Sequence, residues 1–245
     1  LRNDALAAIQ ERELALAKEN AKAAINEATG SYAINVDTYL AAVEACVTVT
    51  EVEEAQALAV EEIEATIASY VAVIGNVGYT SLANAVAQAN AGETVELLQN
   101  VELSTILTLD KEITLEGNGY TLSSKAGRAI NIDTTSKVTI NNLEVVGLTG
   151  CERGINIINK ASTVELNNVT ISGESHYAVH VASSAEGVRL TINDSYLEGY
   201  GALAIYGENT VATVNDSKLV GINNYTGETN NFAALSIEGE YQLVT

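Results

Sequence analysis

The chain has 245 residues, 47% of them hydrophobic, and carries 32 acidic against 12 basic residues, a formal charge of −20. That apolar content is enough to bury a core and excludes an acidic disordered tail. The charge argues against nucleic acid and anionic lipid as partners and leaves neutral ligands or cations.

No run of 18 or more apolar residues occurs, so no transmembrane segment is expected. Leu1 opens an amphipathic pattern without a basic, hydrophobic leader, which suits a mature or trimmed secreted chain. Cys46 and Cys151 fall in different parts of the chain, and neither has a second Cys or a His at metal-ligand spacing. Composition leaves open whether the two pair. Pro, Met and Trp are absent, and nothing physical explains that.

Residues 1–70 read as a helical segment, a small three-helix bundle. From Asn3 to Ala28 the chain is rich in Ala, Leu, Glu and Lys, with Leu6, Ile9, Leu14, Leu16 and Ile25 as a loose apolar stripe, and Thr29-Gly30-Ser31 stops it. A second helix is expected over Asp37–Cys46. A third should start near Thr50, where Thr50-Glu51-Val52-Glu53 has the form of a capping box, and carry Val52, Ala55, Leu58, Ile63 and Ile67 inward. Each stripe must be buried against another element, hence a bundle. The stretch "YLAAVEACVTVTEVEEAQALAVEEIEATIA" resembles the FIVAR-like helical modules strung between domains of Gram-positive surface proteins. Its solvated Glu faces suit a spacer or cap, with a partner-binding helix as the alternative.

Residues 71–245 read as a right-handed parallel β-helix with three sheets, led by a cap over 71–100. Within the cap, Tyr79–Leu103 predicts a short amphipathic helix after Ser81, ended by Gly92, closing the open end of the stack. A first turn follows at Leu107/Leu109, Ile113/Leu115 and Tyr120/Leu122. Then "VTINNLEVVG", "VELNNVTISG", "LTINDSYLEG" and "ATVNDSKLVG" repeat one pattern, their starts 26, 26 and 22 residues apart. A repeat of that length cannot bury its own apolar face and must stack on its neighbour.

Three alternating strands fit each repeat. The inward pairs begin at Ile130/Ile132, Ile155/Ile157, Val179/Val181, Leu203/Ile205 and Leu235/Ile237 in the first strand. Val138/Ile140, Val164/Leu166, Leu190/Ile192 and Ala212/Val214 supply the second. Leu143/Val145, Val169/Ile171, Ser195/Leu197 and Ser217/Leu219 supply the third. About five coils result, roughly 25 Å long at about 4.8 Å per strand.

Asn141, Asn167, Asn193 and Asn215 recur before the third strand as a structural ladder, since Asn tolerates a left-handed bend and its amide reaches the same residue one coil away. Asn168-Val169-Thr170 and Asn193-Asp194-Ser195 also match the glycosylation sequon, which at a stacked bend reflects strand chemistry.

"YTSLANAVAQANAGETVEL" followed by "LTLDKEITLEGNGYTL" resembles the opening of the pectate-lyase-like right-handed β-helices of bacterial surface and secreted proteins. That resemblance implies either a polysaccharide lyase or hydrolase, or a non-catalytic adhesin, so fold alone does not settle function. Lyases of that superfamily need acidic Ca2+ ligands beside a basic group. Here Arg128 and Arg189 would project from the coil while Arg153 belongs to a loop, and no acidic set surrounds them.

A hydrolase needs two carboxyl groups about 5–9 Å apart. Asp194 and Asp216, equivalent on adjacent coils, form the sharpest catalytic candidate, although an Asn/Asp ladder places them there anyway. The sequence calls for no cofactor. Ca2+ held by Asp194, Asp216 and loop carbonyls is the alternative, because it would relieve stacked carboxylates. His180 should point outward, with Glu174 and His176 in the preceding loop.

Aromatic residues concentrate in the C-terminal half: Tyr177, Tyr196, Tyr200, Tyr206, Tyr225, Tyr241 and Phe232. Tyr196 should point outward beside Glu144, Thr170 and Lys218. Exposed aromatics among polar groups suit a sugar ring, so Tyr177, Tyr196, His180 and Tyr200 are the ligand-binding candidates. The expectation is a non-catalytic, extracellular bacterial surface protein, adhesin-like or structural, binding glycans or surface proteins. A polysaccharide-active enzyme and a subunit of a surface filament or sheath are the alternatives.

Overall fold

The structure is a computed structural model that describes residues 2–173, 175–222, 233–238 and 243–245. The chain divides into two compact units, Leu1–Tyr70 with Gly75–Gly78, and Val71–Ile74 with Tyr79–Thr245.

In the first unit α1 (Arg2–Ala28), α2 (Asp37–Ala45) and α3 (Val49–Ala68) each pack against the other two. Ala21, Ile25, Val36, Val43, Val52, Ala59 and Ile63 form the core. The buried stripe of α3 runs Val52, Ala55, Ala59, Ile63, Ile67, so Ala59 takes the place expected of Leu58, which is 57% exposed. Of the five expected stripe residues of α1, two are used. Leu14 and Ile25 reach the core, whereas Leu6, Ile9 and Leu16 are exposed. At 1.5 Å per residue α1 is about 40 Å long and α3 about 30 Å, so the shorter helices cannot cover all of it.

The capping box also lies two residues earlier than the spacing suggested. Thr48, in extended conformation, accepts from Glu51 N–H, and the Glu51 carboxylate accepts from the N–H groups of Val47 and Thr48. Three satisfied donors fix the start there and leave Thr50 inside the helix.

The second unit is a parallel β-solenoid of about five turns. Its chain passes in rotation through three sheets. Sheet A stacks Thr94–Leu97, Ile113–Glu116, Lys137–Asn141, Thr163–Asn167, Arg189–Asn193, Val211–Asn215 and Leu243–Val244. Sheet B stacks Val101–Leu103, Thr121–Ser124, Glu144–Gly147, Thr170–Gly173, Tyr196–Gly199 and Lys218–Gly221. Sheet C stacks Leu107–Leu109, Arg128–Ile132, Arg153–Ile157, Tyr177–Val181, Gly201–Ile205 and Leu235–Ile237.

Strict register makes the core. Leu115, Ile140, Leu166, Ile192 and Val214 are successive partners in sheet A, and the first four are fully buried. Ile130, Ile155, Val179 and Leu203 pile up likewise in sheet C, and Val145, Ile171, Leu197 and Leu219 in sheet B. Each buried Leu or Ile contributes roughly 1.5–3 kcal/mol. A one-residue slip would turn a whole strand inside out, so the columns also set the register. The shorter spacing before the last repeat comes from two corners. Three residues join Gly173 to Tyr177 but only Tyr200 joins Gly199 to Gly201, and seven residues between Val181 and Arg189 become five between Ile205 and Val211.

Three expected inward residues differ. Tyr120 is 36% exposed, because four residues, Gly117 to Tyr120, separate Glu116 from Thr121 where only Asn142 and Leu143 separate Asn141 from Glu144. The longer bend carries the ring out. Leu235 and Ile237, on the last strand of sheet C, are 36% and 47% exposed.

At the bends from sheet A to sheet B the left-handed residue is the one after the Asn ladder. Asn142, Asn168, Asp194 and Asp216 have φ of 50°, 53°, 50° and 46°. The ladder residues remain in their strands. Their amides are joined Asn167 Nδ2 to Asn141 Oδ1 (2.9 Å), Asn193 Nδ2 to Asn167 Oδ1 (2.7 Å) and Asn215 Nδ2 to Asn193 Oδ1 (2.8 Å). Ser195 and Ser217 stitch the same corner: each hydroxyl donates to the carbonyl two residues back and accepts a backbone N–H from the preceding coil.

The solenoid's leading end is closed by α4 (Leu82–Gln88), which buries Leu82, Ala85 and Val86 in the solenoid core. Ser81 caps its start, as the sequence suggested. Its end comes four residues before Gly92, because Ala89 turns extended, and Gly92 (φ +86°) serves the turn into the first strand. Lys111 Nζ donates to the carbonyls of Val86, Ala87 and Ala89, satisfying the free end of the helix with a positive charge. Along the leading edge of sheet A, Ala72–Ile74 pairs antiparallel with Thr94–Leu97. No helix among the described residues is long and apolar enough to cross a membrane.

Candidate ligand-binding site

Sheet C carries a polar cluster across its middle strands. The motif Ile130-Asn131-Ile132, Ile155-Asn156-Ile157, Val179-His180-Val181 puts Asn131, Asn156 and His180 in one row, because the flanking aliphatics are held inside. Asn156 Nδ2 donates to Asn131 Oδ1 at 3.0 Å, and the His180 Nδ1 lies 2.7 Å from Asn156 Oδ1. With its amide nitrogen spent on Asn131, Asn156 offers an acceptor to the imidazole, so Nδ1 carries the proton of the neutral ring.

His180 was expected to stand out from its strand. It does lie in the outer row of its strand, between the inward Val179 and Val181, but it is only 6% exposed, because rings cover it. Tyr177 stacks on it at 5.5 Å between centroids, 19° from parallel, and Tyr206 meets it edge-on at 5.2 Å. The hydroxyls of Tyr177 and Tyr206 are hydrogen-bonded at 2.6 Å. The Tyr177 ring lies against Gly201, where an added Cβ would come within 2.8 Å of it, so glycine opens the place for the ring.

Arg153 opens a strand of sheet C rather than lying in a loop. Pairing continues back through Glu152, which bonds to Gly127 on one side and Tyr177 on the other, so the corner ends earlier than expected. Arg153 is thereby in register with Arg128 on one neighbouring strand and Tyr177 on the other. Its side chain is 19% exposed and donates to Glu152 at 2.8 Å, while its Nε is buried without a hydrogen-bond partner. Burial, then the charges of Arg153 and Arg128, push the His180 pKa down to about 4, so the ring is neutral near pH 7. Burial and then the hydrogen bond with Tyr177 raise the Tyr206 pKa and keep that phenol protonated.

The described contacts of the other candidates are with different neighbours. Tyr196 belongs to sheet B, in the row Glu144, Thr170, Tyr196, Lys218. Its hydroxyl donates to Glu198 at 2.5 Å, which raises its pKa, and Lys218 Nζ sits 5.5 Å from its ring centre. Tyr200 forms the corner between sheets B and C, its ring 5.8 Å from that of His176. Asp194 and Asp216 are exposed bend residues of adjacent coils, and their strained backbone explains their residue type without a ligand. Among the described residues no group of three or more His, Cys, Asp or Glu is placed to hold a metal ion. Arg189 is exposed on sheet A, in the row Lys137, Thr163, Arg189, Val211. Cys46 and Cys151 are both free thiols. Glu174, Tyr225, Phe232 and Tyr241 lie outside the described residues.

Sequence reasoning singled out Tyr177 and His180 but missed the partners that make them a cluster. The repeated Ile-Asn-Ile and Val-His-Val triplets were the available signal for Asn131 and Asn156. Tyr206 stood out only as one of the C-terminal aromatics, since only the corner after its strand brings it back over His180. Comparison with protein-family models, with curated proteins and with solved structures finds no match for this chain.

Proposed function

We propose that the chain is part of a non-catalytic extracellular surface protein, adhesin-like in the manner of the pectate-lyase-like β-helices it resembles, whose solenoid presents sheet C to a glycan. The observation that carries this reading is the Tyr177, His180 and Tyr206 cluster, in which aromatic rings are set among polar groups on a rigid sheet. Such a surface offers stacking area together with a few oriented hydrogen-bond groups, as saccharide recognition requires.

The groups present suit holding a ligand. His180 is neutral and tied to Asn156 through Nδ1, Tyr206 is held protonated, and Glu152 is engaged by Arg153. A hydrolytic pair would need two carboxyl groups flanking the ligand. A glycan array paired with a reducing-end release assay on the same polysaccharides tests the reading. Binding without release is expected, and it should weaken when Tyr177 is replaced by Ala. Release of reducing ends that Asp194→Asn or Asp216→Asn abolishes would overturn it.

A further inference from the structure

The two ends of the solenoid differ. At the leading end α4 packs into the core and Ala72–Ile74 lies antiparallel along the edge of sheet A. At the opposite end Lys218–Gly221, Leu235–Ile237 and Leu243–Val244 are the outermost strands of sheets B, C and A, and no described strand pairs with their far sides. The core columns run out there. In sheet C the inward Leu203 and Ile205 are fully buried, whereas their partners Leu235 and Ile237 are exposed, and Leu219 and Val244 are only partly buried at the same end. The bend loses its ties as well. Asp194 N–H donates to the Asn215 carbonyl and Ser195 N–H to the Ser217 hydroxyl, but the N–H groups of Asp216 and Ser217 have no protein acceptor among the described residues.

Open sheet edges beside exposed core residues mark a contact surface, and its charge and register select the partner. A net charge of −20 makes copies of this chain repel one another over most of their surface, yet in these three strands only Lys218 is charged. The N–H groups of Lys218 and Ile222 donate back to the preceding coil, at Ser195 and Gly199, so by alternation Leu219 and Gly221 turn their N–H and C=O groups to the open side. Such an edge is complementary to itself. Laid antiparallel on a second copy about a two-fold at Val220, Leu219 exchanges both backbone hydrogen bonds with Gly221 of the other copy, and the two Val220 side chains meet as the closer, non-hydrogen-bonded pair. Lys218 falls opposite Ile222, away from the other Lys218.

We infer that this end of the solenoid docks a second copy of the chain, end to end about a two-fold axis at Val220. Leu235–Ile237 of each copy then faces Leu243–Val244 of the other, which covers the exposed Leu235 and Ile237. The contact is isologous and uses the open end of both copies, while α4 occupies the remaining ends. The product is a closed dimer and not a filament, and it does not depend on what sheet C binds.

Three short strand edges make a smaller contact than the roughly 800 Å2 per partner of a standard interface, so association is followed by sedimentation equilibrium on the whole chain from about 1 µM to 1 mM. A monomer–dimer equilibrium is expected. Val220→Lys and Val220→Glu each set like charges face to face at the two-fold and should weaken the dimer about tenfold or more, whereas the two variants mixed in equal amounts should pair with each other. Val220 lies on the outer face of its strand, so neither change enters the core. Ile9→Lys, on the exposed stripe of α1, should leave the dimer intact.

If a variant at Val220 does not fold, amide hydrogen exchange of the unaltered chain decides the matter. Leu219 and Gly221 should exchange more slowly at the high end of the concentration range than at the low end. A chain that stays monomeric throughout, or assemblies that grow beyond the dimer, overturn the inference. So do a dimer indifferent to charge at Val220, a mixture of the two variants that stays monomeric, and exchange at Leu219 and Gly221 that ignores concentration.

Discussion

His180 and Asn156 meet through Nδ1 and Oδ1 at 2.7 Å, on neighbouring strands of sheet C, and this contact ties a buried imidazole to an amide whose other end is committed to Asn131. A ring held in this way by burial, with Arg153 and Arg128 close by, resists protonation.

Acid sensitivity follows. His180 titrates near 4 in the folded chain, below its ordinary 6.5, so between those values the unfolded chain binds more protons. The neutral ring's stabilisation is fully present above about pH 6.5 and is lost as pH falls through about 4, amounting to about 3 kcal/mol. Urea midpoints measured from pH 7 to pH 4 should fall accordingly, and His180→Gln should flatten that part of the profile. A profile unchanged by the substitution would show that His180 does not govern it.

Amide stacking at the bend has an interior and an end. Asn167 makes a ladder bond on each side, so Asn167→Ala strands one donor and one acceptor and should cost about 2 kcal/mol. Asn215 is exposed and bonds to Asn193 alone in the ladder, and Asn215→Ala should cost less than about 1 kcal/mol. Equal losses in chemical denaturation would argue that the ladder does not contribute as a stack.

Left-handed backbone at Asp194 selects among substitutes. Asp194→Asn and Asp194→Gly should leave stability within about 0.5 kcal/mol, and Asp194→Val should lower it by about 1–2 kcal/mol, because a branched Cβ is disfavoured at φ 50°. Thermal melts of the three variants decide it. The same Asn variant serves as the control for catalysis.

Core columns and helix surface should behave oppositely although both are rich in leucine. Leu166, fully buried between Ile140 and Ile192, should cost about 2–5 kcal/mol when cut to Ala. Leu16 is 57% exposed, and Leu16→Ala should fall within about 0.5 kcal/mol of the parent. A large loss at Leu16 would mean that the exposed face of α1 is covered in solution.

Repetition made the solenoid legible in the amino-acid sequence. Alternation says which side chains face inward, and recurrence of Val138, Val164, Leu190 and Ala212 at nearly constant spacing says which strands stack. Those are local and periodic properties, and they needed no tertiary information. Helix starts were legible to within a turn, since Ser81 and the Thr-Glu spacing are local signals, yet the capping box formed at Thr48 and not at Thr50, where the backbone at Thr48 is extended.

What the chain's own pattern could not decide is what happens at corners, where strands end and distant residues return. Tyr120 left the core because its bend has two more residues than the later ones, and Arg153 entered a strand because pairing reached back through Glu152. Tyr206 closed over His180 because a turn of the solenoid brings residues 26 positions apart into contact. Burial of the imidazole, its lowered pKa and the placing of Arg153 beside Arg128 are all properties of that juxtaposition. Side-chain chemistry was written in the sequence, but the low-dielectric surroundings that change it exist only once the coils are stacked.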